Sequence, residues 1–289
     1  MDIAGENILL LIYTPLFLIT IILELVLSNF QNLRIYTLKE TLTTAYISII
    51  NLVLDVGLRG FYFLVLGYLA QWSFFTITNP YIYWISLLFL VDFMFWCMHS
   101  VDHHVRLFWA VHVTHHSSQE FNVSVGFRSS VFQPLYRFIY FIPLVFLGFQ
   151  PAHIFFMYSA TQFYGILIHT QFVGKLGILD HIFATPSNHR VHHGANIPYL
   201  DRNMGMTFII WDKIFGTYAE EIEPVIYGLT KPLDQPHHPV KIVFHEWEAM
   251  WHDVKHAPNL RAKLMYIFGP PGWSHDGSRL TSAQLRAKS

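Results

Sequence analysis

Long apolar segments and short polar linkers alternate over roughly the first 170 residues, and the remainder of the chain is polar with many proline and glycine breaks. A helix needs about 20 mostly apolar residues to cross a bilayer. Residues 8–27, 44–70 and 82–98 meet or approach this length. The pattern therefore predicts an integral membrane protein with these three segments as spanning helices.

Two shorter apolar segments, residues 134–149 and 152–168, are separated by Gln150-Pro151. Each is marginal alone, so we expect a helical hairpin that either crosses the membrane and returns or dips in and comes back. Residues 240–256 are amphipathic, which predicts a helix on the cap or in the headgroup region. The chain, residues 1–289, is then one all-α membrane domain.

Charge placement predicts the orientation of this bundle. The linker over residues 28–43 holds Arg34 and Lys39, whereas residues 71–80 and the N-terminal tip hold no Lys or Arg. By the positive-inside rule the linker is cytosolic. Counting crossings then predicts a cytosolic cap over residues 99–131 and 169–289, in a bacterial inner membrane or the endoplasmic reticulum.

Composition agrees with a membrane protein. Hydrophobic residues make up 53% of the chain and charged residues 13%, against about 25% charged in soluble domains. The formal net charge of −1 gives no basic excess that would indicate a nucleic-acid partner. The single cysteine, Cys97, excludes an intramolecular disulfide and a cysteine-based metal site.

Histidines carry the candidate chemistry. Spacings of three and four residues place imidazoles on one helix face, where they can bind a common ion. Three clusters have this spacing: His99 and His103; His112, His115 and His116; His189, His192 and His193. Eight imidazoles exceed the four ligands of one tetrahedral zinc, so we expect two metals. His169, at the end of the last apolar segment, is the candidate ninth ligand.

Imidazoles without thiolates suit iron, copper, nickel or zinc. Zinc has no redox chemistry, whereas two irons can use dioxygen to attack the unactivated C–H bonds that lipid offers. The alternative is a non-catalytic, metal-stabilised membrane protein that binds lipid. Asp92, seven residues before His99, is expected to support an imidazole from the same helix face. Weaker candidates for such support are Glu120, Asn122, Asp180 and Asn188.

The motifs resemble those of the fatty acid hydroxylase superfamily, which includes the sterol desaturases. They are RLFWAVHVTHHSSQEFN from Arg106, TPSNHRVHHG from Thr185 and IWDKIFGTY from Ile210. Within the superfamily the resemblance is greatest to alkylglycerol monooxygenase and its bacterial relatives. It implies two Fe²⁺ ions on the cytosolic face, held by the eight clustered histidines and His169. It also implies dioxygen as cosubstrate and a membrane lipid as substrate.

The same resemblance implies cleavage of glyceryl ether lipids to a fatty aldehyde, with tetrahydropterin as electron donor. Other branches act on sterols or fatty-acyl chains, hydroxylate or desaturate, and draw electrons from cytochrome b5 or ferredoxin-type proteins. This chain has His104 where the subgroup usually has an acidic residue directly after the second histidine. His104 could tune the site or deliver protons with a different pKa.

Overall fold

The computed structural model describes residues 3–288, with side chains described for residue 11 and from residue 13 onward. Within this range no β-strand is found, and two isolated bridges join Phe183 to Phe208 and Gly194 to Tyr227. The helices are α1 (Ile3–Phe30), α2 (Leu38–Leu69), α3 (Pro80–His104), α4 (Arg106–His116), α5 (Ile142–Phe146), α6 (Pro151–Leu167), α7 (Pro186–His192), α8 (Ile210–Phe215), α9 (Pro239–His256), α10 (Leu260–Phe268) and α11 (Ser282–Arg286). The predicted all-α class is confirmed.

Helices α1, α2 and α3 are long and apolar enough to cross a membrane. They contain the three segments expected to span, apart from Ala70 at the end of the second. Their outer faces carry exposed aliphatic side chains such as Val53 (68% exposed) and Leu64 (73%) on α2. An apolar surface of this extent marks contact with lipid rather than water. The helical membrane bundle predicted from the sequence is therefore confirmed.

The segment predicted as a helical hairpin does not consist of two continuous helices in the structure. Its second arm is α6, which begins at Pro151 after Gln150. Its first arm is a series of 3₁₀ turns, Gln133–Leu135 and Arg137–Phe141, followed by the short helix α5. Pro134 and Pro143 lack the backbone N–H that a continuous helix needs, so each stands in the first turn of a new segment. Whether this arm enters the membrane stays a prediction.

An apolar core joins α2 and α3 to the broken arm and α6. Fully buried members include Leu66, Leu87, Phe138 and Phe155. Asp55 and Arg59 form an ion pair at 3.1 Å, and Arg137 reaches the other oxygen of Asp55 at 3.0 Å. The pair between Arg137 and Asp55 fixes α2 against the residues that precede α5.

Helices α9 and α10 pack against α4, which follows the last residues of α3. Arg106, the first residue of α4, donates to Glu246 at 2.7 Å and to Asp253 at 2.6 Å, both on α9. The amphipathic helix predicted over residues 240–256 thus exists and is tied to the element that carries the second histidine cluster. Glu24 likewise ties α1 to the site, because it accepts from Val123 N at 2.8 Å and from the hydroxyl of Thr170 at 2.6 Å.

Candidate metal centre

A change of direction between α3 and α4 lets two histidine clusters face each other. His99 and His103 occupy the last turns of α3. Val105 then takes an extended conformation, with φ −120° and ψ 117°, and α4 starts at the next residue. Of the third cluster, His189 and His192 lie on α7, which begins with Pro186, and His193 directly follows this helix. His169 follows α6 by two residues.

The structure brings all nine predicted histidines together in two groups. In each group every residue offers one ring nitrogen, and these nitrogens lie within 4.8 Å of one another. The first group is His99, His103, His112, His116 and His192. The second is His115, His169, His189 and His193. The middle cluster of the sequence is divided, because His115 joins the second group while its neighbours join the first.

Several of these nitrogens approach one another at hydrogen-bond distance. Nε2 of His112 lies 3.0 Å from Nε2 of His99 and 3.2 Å from Nε2 of His116. Nε2 of His169 lies 2.9 Å from Nε2 of His189. The Nε2 atoms of His103, His192 and His193 are buried without a hydrogen-bond partner among the described residues. Converging lone pairs and buried nitrogens without partners are what a pair of cations would satisfy.

In several of the nine histidines the protein fixes the opposite ring nitrogen. Nδ1 faces a backbone carbonyl in four histidines: His99 with Met204 at 2.8 Å, His115 with Arg128 at 3.2 Å, His169 with Gly165 at 2.7 Å and His192 with Arg202 at 3.0 Å. A carbonyl can only accept, so in each case Nδ1 carries the proton and Nε2 keeps its lone pair. Metal-binding histidines are held in this way, and the residues present therefore fit two metals.

Two carboxylates lie beside the Nδ1 atoms of two further histidines. Asp201 lies 3.3 Å from Nδ1 of His103. Asp102 is fully buried and lies 3.7 Å from Nδ1 of His112, while Gln133 and Tyr136 donate to it at 2.8 and 2.7 Å. Sequence reasoning missed both carboxylates. Asp102 could have been found from its position between His99 and His103, because a charged residue in an otherwise apolar spanning helix indicates a functional role.

The supporting residues expected from the sequence have other contacts. Asp92 accepts from the backbone of Thr207 at 2.8 Å and from the indole of Trp211 at 2.9 Å, so it fixes a later segment rather than an imidazole. Glu120 accepts from Thr37 N at 3.1 Å, and His104 is exposed with Nδ1 2.7 Å from its own helix at Ser100 O. A position seven residues before His99 shares its face but lies two turns away, out of reach of the imidazole.

The weaker candidates also have hydrogen-bond partners other than the imidazoles. Asn122 caps the 3₁₀ turn Val123–Phe127, Asp180 accepts from Leu176 N at 2.6 Å, and Asn188 donates to the Asp180 carbonyl at 2.8 Å. These three side chains hold the loops around the centre, and their described hydrogen bonds go to backbone and hydroxyl groups.

A buried ion pair supports the second group. Arg128 is completely buried and donates to Glu40 at 2.6 Å and to Ser117 at 2.9 Å, while its own carbonyl faces His115. The pair fixes the loop after α4 against the start of α2. His115 is thereby positioned through residues that sequence reasoning did not single out.

Burial keeps the clustered imidazoles neutral. It lowers the pKa of His112, His116, His189, His192 and His193 well below the ordinary value of 6.5. Burial likewise lowers the pKa of His115 to about 4. Neutral imidazole is the form that binds a metal ion, so the protein holds these side chains in that form at neutral pH.

A cavity of about 740 Å³ leads from the cap to the histidines. Its inner wall includes His103, His116, His192 and His193, and its outer wall comes from residues 228–234, α9 and the C-terminal segment. His245 is in this outer wall. Apart from His169, the other histidines outside the three clusters belong to neither group. Among them is His153, which pairs with Tyr83 at 2.8 Å far along α3.

A helical membrane bundle that closes on two groups of buried histidines defines a histidine-rich membrane protein with a candidate metal centre. Residues 84–217, which include all nine histidines of the two groups, match the model of the family described as fatty acid hydroxylase. The resemblance to this family that the motifs predicted is thereby confirmed. No solved structure matches the chain.

Among characterised proteins the chain is similar to alkylglycerol monooxygenases. It is 34% identical to that of Xenopus tropicalis over 276 residues, which is 92% of this chain and 60% of the relative. The Homo sapiens protein is 34% identical over 274 residues, with the same two shares. Ornithine lipid hydroxylase OlsE of Rhizobium tropici is 32% identical over 139 residues, 47% of this chain and 42% of the relative. The chain thus spans about 60% of the length of the first two relatives.

Proposed function

We propose that this chain carries the catalytic domain of a membrane di-iron oxygenase that hydroxylates a C–H bond of a lipid with dioxygen. The observation that carries the proposal is the pair of buried histidine groups, whose metal-facing nitrogens converge while several of the opposite nitrogens are fixed. Similarity to lipid-oxidising relatives over 92% of the chain supports it.

The first group would hold one iron and the second group the other. Imidazole donors without thiolates are compatible with iron, and the two irons would supply the oxidising power that no side chain has. The protein itself holds the imidazoles neutral and fixes several of them through carbonyls and carboxylates. It also places the apolar ring of Phe121 against His169 and His193. Such surroundings keep water from competing with a lipid chain.

Ether lipid is the substrate class that we propose first, because the two relatives that match nearly the whole chain are named for alkylglycerols. Hydroxylation of the carbon beside the ether oxygen places two oxygens on one carbon. The C–O bond to glycerol then breaks, which releases a fatty aldehyde and a free glycerol hydroxyl. Hydroxylation or desaturation of a sterol or an acyl chain is the alternative within the same family.

We propose that the electron donor reaches the centre from the cap, through the cavity that ends at His103 and His193. Its volume suits a small molecule, and we propose a tetrahydropterin, with a cytochrome b5 or ferredoxin-type protein as the alternative. The positive linker with Arg34 and Lys39 supports a cytosolic position for this end of the bundle.

Lipid analysis of cells under ¹⁸O₂ tests the proposal. Cells would express the chain, its His112→Ala variant or the His256→Ala control, which changes an exposed histidine outside both groups. We expect a lipid class to gain ¹⁸O, or to be cleaved to ¹⁸O-labelled aldehyde, in the wild type and the control but not with His112→Ala. Pterin or protein donors added to isolated membranes would identify the reductant.

Metal analysis of the purified protein supplies the second readout. Two irons per chain, lost in part with His112→Ala, agree with the proposal. Zinc at full occupancy together with unchanged lipids would instead support the non-catalytic lipid-binding protein.

A further inference from the structure

Two segments of the expected cap pack against the side of α3 rather than beyond its end. They are residues 176–183 and 207–215, which we call the lateral insert. Phe208 stacks on Phe89 with ring centroids 4.6 Å apart, and Phe215 stacks on Trp96 at 4.5 Å. Backbone hydrogen bonds join the two segments, such as Ile209 N to Ile182 O at 3.1 Å. The lateral insert is therefore one packed unit.

The contacts fix its depth along the spanning helix. Trp96 and Phe89 lie 8 and 15 residues before His104, the last residue of α3. At a rise of 1.5 Å per residue they are about 12 and 22 Å back along the helix axis. If α3 crosses the bilayer, the side chains stacked on it lie at the same depth. That depth is inside the membrane, not in the cytosol.

Most of the exposed side chains of the lateral insert are apolar, as this depth requires, and the polar exceptions are His181 and Lys213. The apolar ones are Leu176 (44% exposed), Ile178 (75%), Leu179 (43%), Ile182 (42%), Ile214 (66%) and Phe215 (52%). They continue the exposed apolar face of α3, where Ile82 and Ile85 are both 59% exposed. The ammonium of Lys213 donates to the carbonyl of His181 at 3.0 Å, and Lys175, one residue before the lateral insert, pairs with Glu220 at 2.7 Å, so each charge has a partner within the protein.

The buried carboxylate of Asp92 explains how non-helical backbone is accommodated there. It accepts from Thr207 N at 2.8 Å and from Phe208 N at 3.2 Å. Backbone N–H groups at membrane depth need a partner within the protein, because lipid offers none. Asp92 supplies two of these partners at the point where the lateral insert meets α3.

We infer that the lateral insert is embedded in the bilayer and that its exposed face contacts lipid acyl chains. α7, which carries His189 and His192, begins three residues after Phe183. The lateral insert therefore places hydrocarbon close to the metal centre on this side of the bundle. The inference stands on the packing against α3 and does not depend on the proposed reaction.

Fluorescence quenching in phospholipid vesicles tests this placement. Ile178→Cys and Ile214→Cys, each in a Cys97→Ala background, would carry an environment-sensitive nitrobenzoxadiazole label. Ile85→Cys on the outer face of α3 is the control for lipid contact, and Glu248→Cys on the exposed side of α9 is the control for water. The quenchers are phospholipids with a nitroxide on the acyl chain and aqueous iodide.

We expect the labels at residues 178 and 214 to lose fluorescence with the nitroxide lipids, as at residue 85, and to resist iodide. Quenching by iodide to the extent seen at residue 248 would place the lateral insert in water and overturn the inference. Resistance to both quenchers would also overturn it, because the face would then be covered by protein. Two independent label sites keep the test valid if one variant fails to fold.

Discussion

The carboxylate of Asp102 lies 3.7 Å from Nδ1 of His112, a buried nitrogen without a hydrogen-bond partner among the described residues. Gln133 and Tyr136 hold the carboxylate in place from the other side. His112 thus differs from the four histidines whose Nδ1 faces a backbone carbonyl. A carboxylate beside Nδ1 would make the imidazole a stronger electron donor to a bound metal than a carbonyl would, so we expect the first group to contain a more electron-rich ligand than its sequence motif indicates.

Asp102→Asn is expected to leave the chain folded and to weaken one metal position. Loss of a supporting carboxylate typically costs about 10–100-fold in metal affinity. A redox titration should also show a higher reduction potential for that metal, since a weaker donor stabilises the oxidised ion less. Asp180→Asn, which changes a buried carboxylate that bonds Leu176 and Thr185, is the control. Equal potentials in all three proteins would refute this role for Asp102.

Arg128→Met is expected to lower the stability of the protein by about 3–5 kcal/mol, because it leaves the buried Glu40 without its partner. The double variant Arg128→Met with Glu40→Gln should recover a large part of this loss, since no unpaired charge then remains. Thermal unfolding in detergent measures both. A double variant as unstable as the single one would show that the hydrogen bonds of Arg128 to Ser117 and Thr114, and not the charge pair, hold the loop.

Gly126→Ala is expected to disturb the second metal position. A Cβ at residue 126 would lie 3.0 Å from Nδ1 of His169 and 3.1 Å from the backbone of Ile166. His169 would have to move away from its contact with Gly165 O, so metal content per chain should fall. Gly57→Ala, where a Cβ would meet nothing within 4 Å, is the matched control. Full metal content in both variants would contradict the predicted role of Gly126.

Acidification is expected to destabilise the metal-free protein. An unfolded chain protonates its histidines near pH 6.5, whereas the folded chain resists protonation of His115 until about pH 4. The unfolded state therefore binds more protons between these values, and stability falls as the pH falls through this window. The thermal midpoint of the metal-free protein should drop there, and by less in His115→Gln. A midpoint that stays constant would show that the buried histidines do not stay neutral on acidification.

Much of the bundle could be predicted from the sequence because its signals are local. A spanning helix needs only a sufficient run of apolar residues, so the three segments fall on α1, α2 and α3. The broken arm before α6 was not predicted, although Pro134 and Pro143 stand in the chain. Their effect depends on how the surrounding core holds the segments between them, which length and hydropathy do not report.

The candidate site could also be predicted only in part, because helix spacing is a local signal whereas the packing of separate helices is not. The sequence by itself determined which histidines can share a helix face, since spacings of three and four residues follow from helix geometry. Only the tertiary structure decided that His115 leaves its neighbours to join His169, because this depends on where α6 and α7 approach α4. It alone also placed Met204, Gly165 and Arg202 against the imidazoles, since any residue type presents the same backbone carbonyl once packing has brought it there.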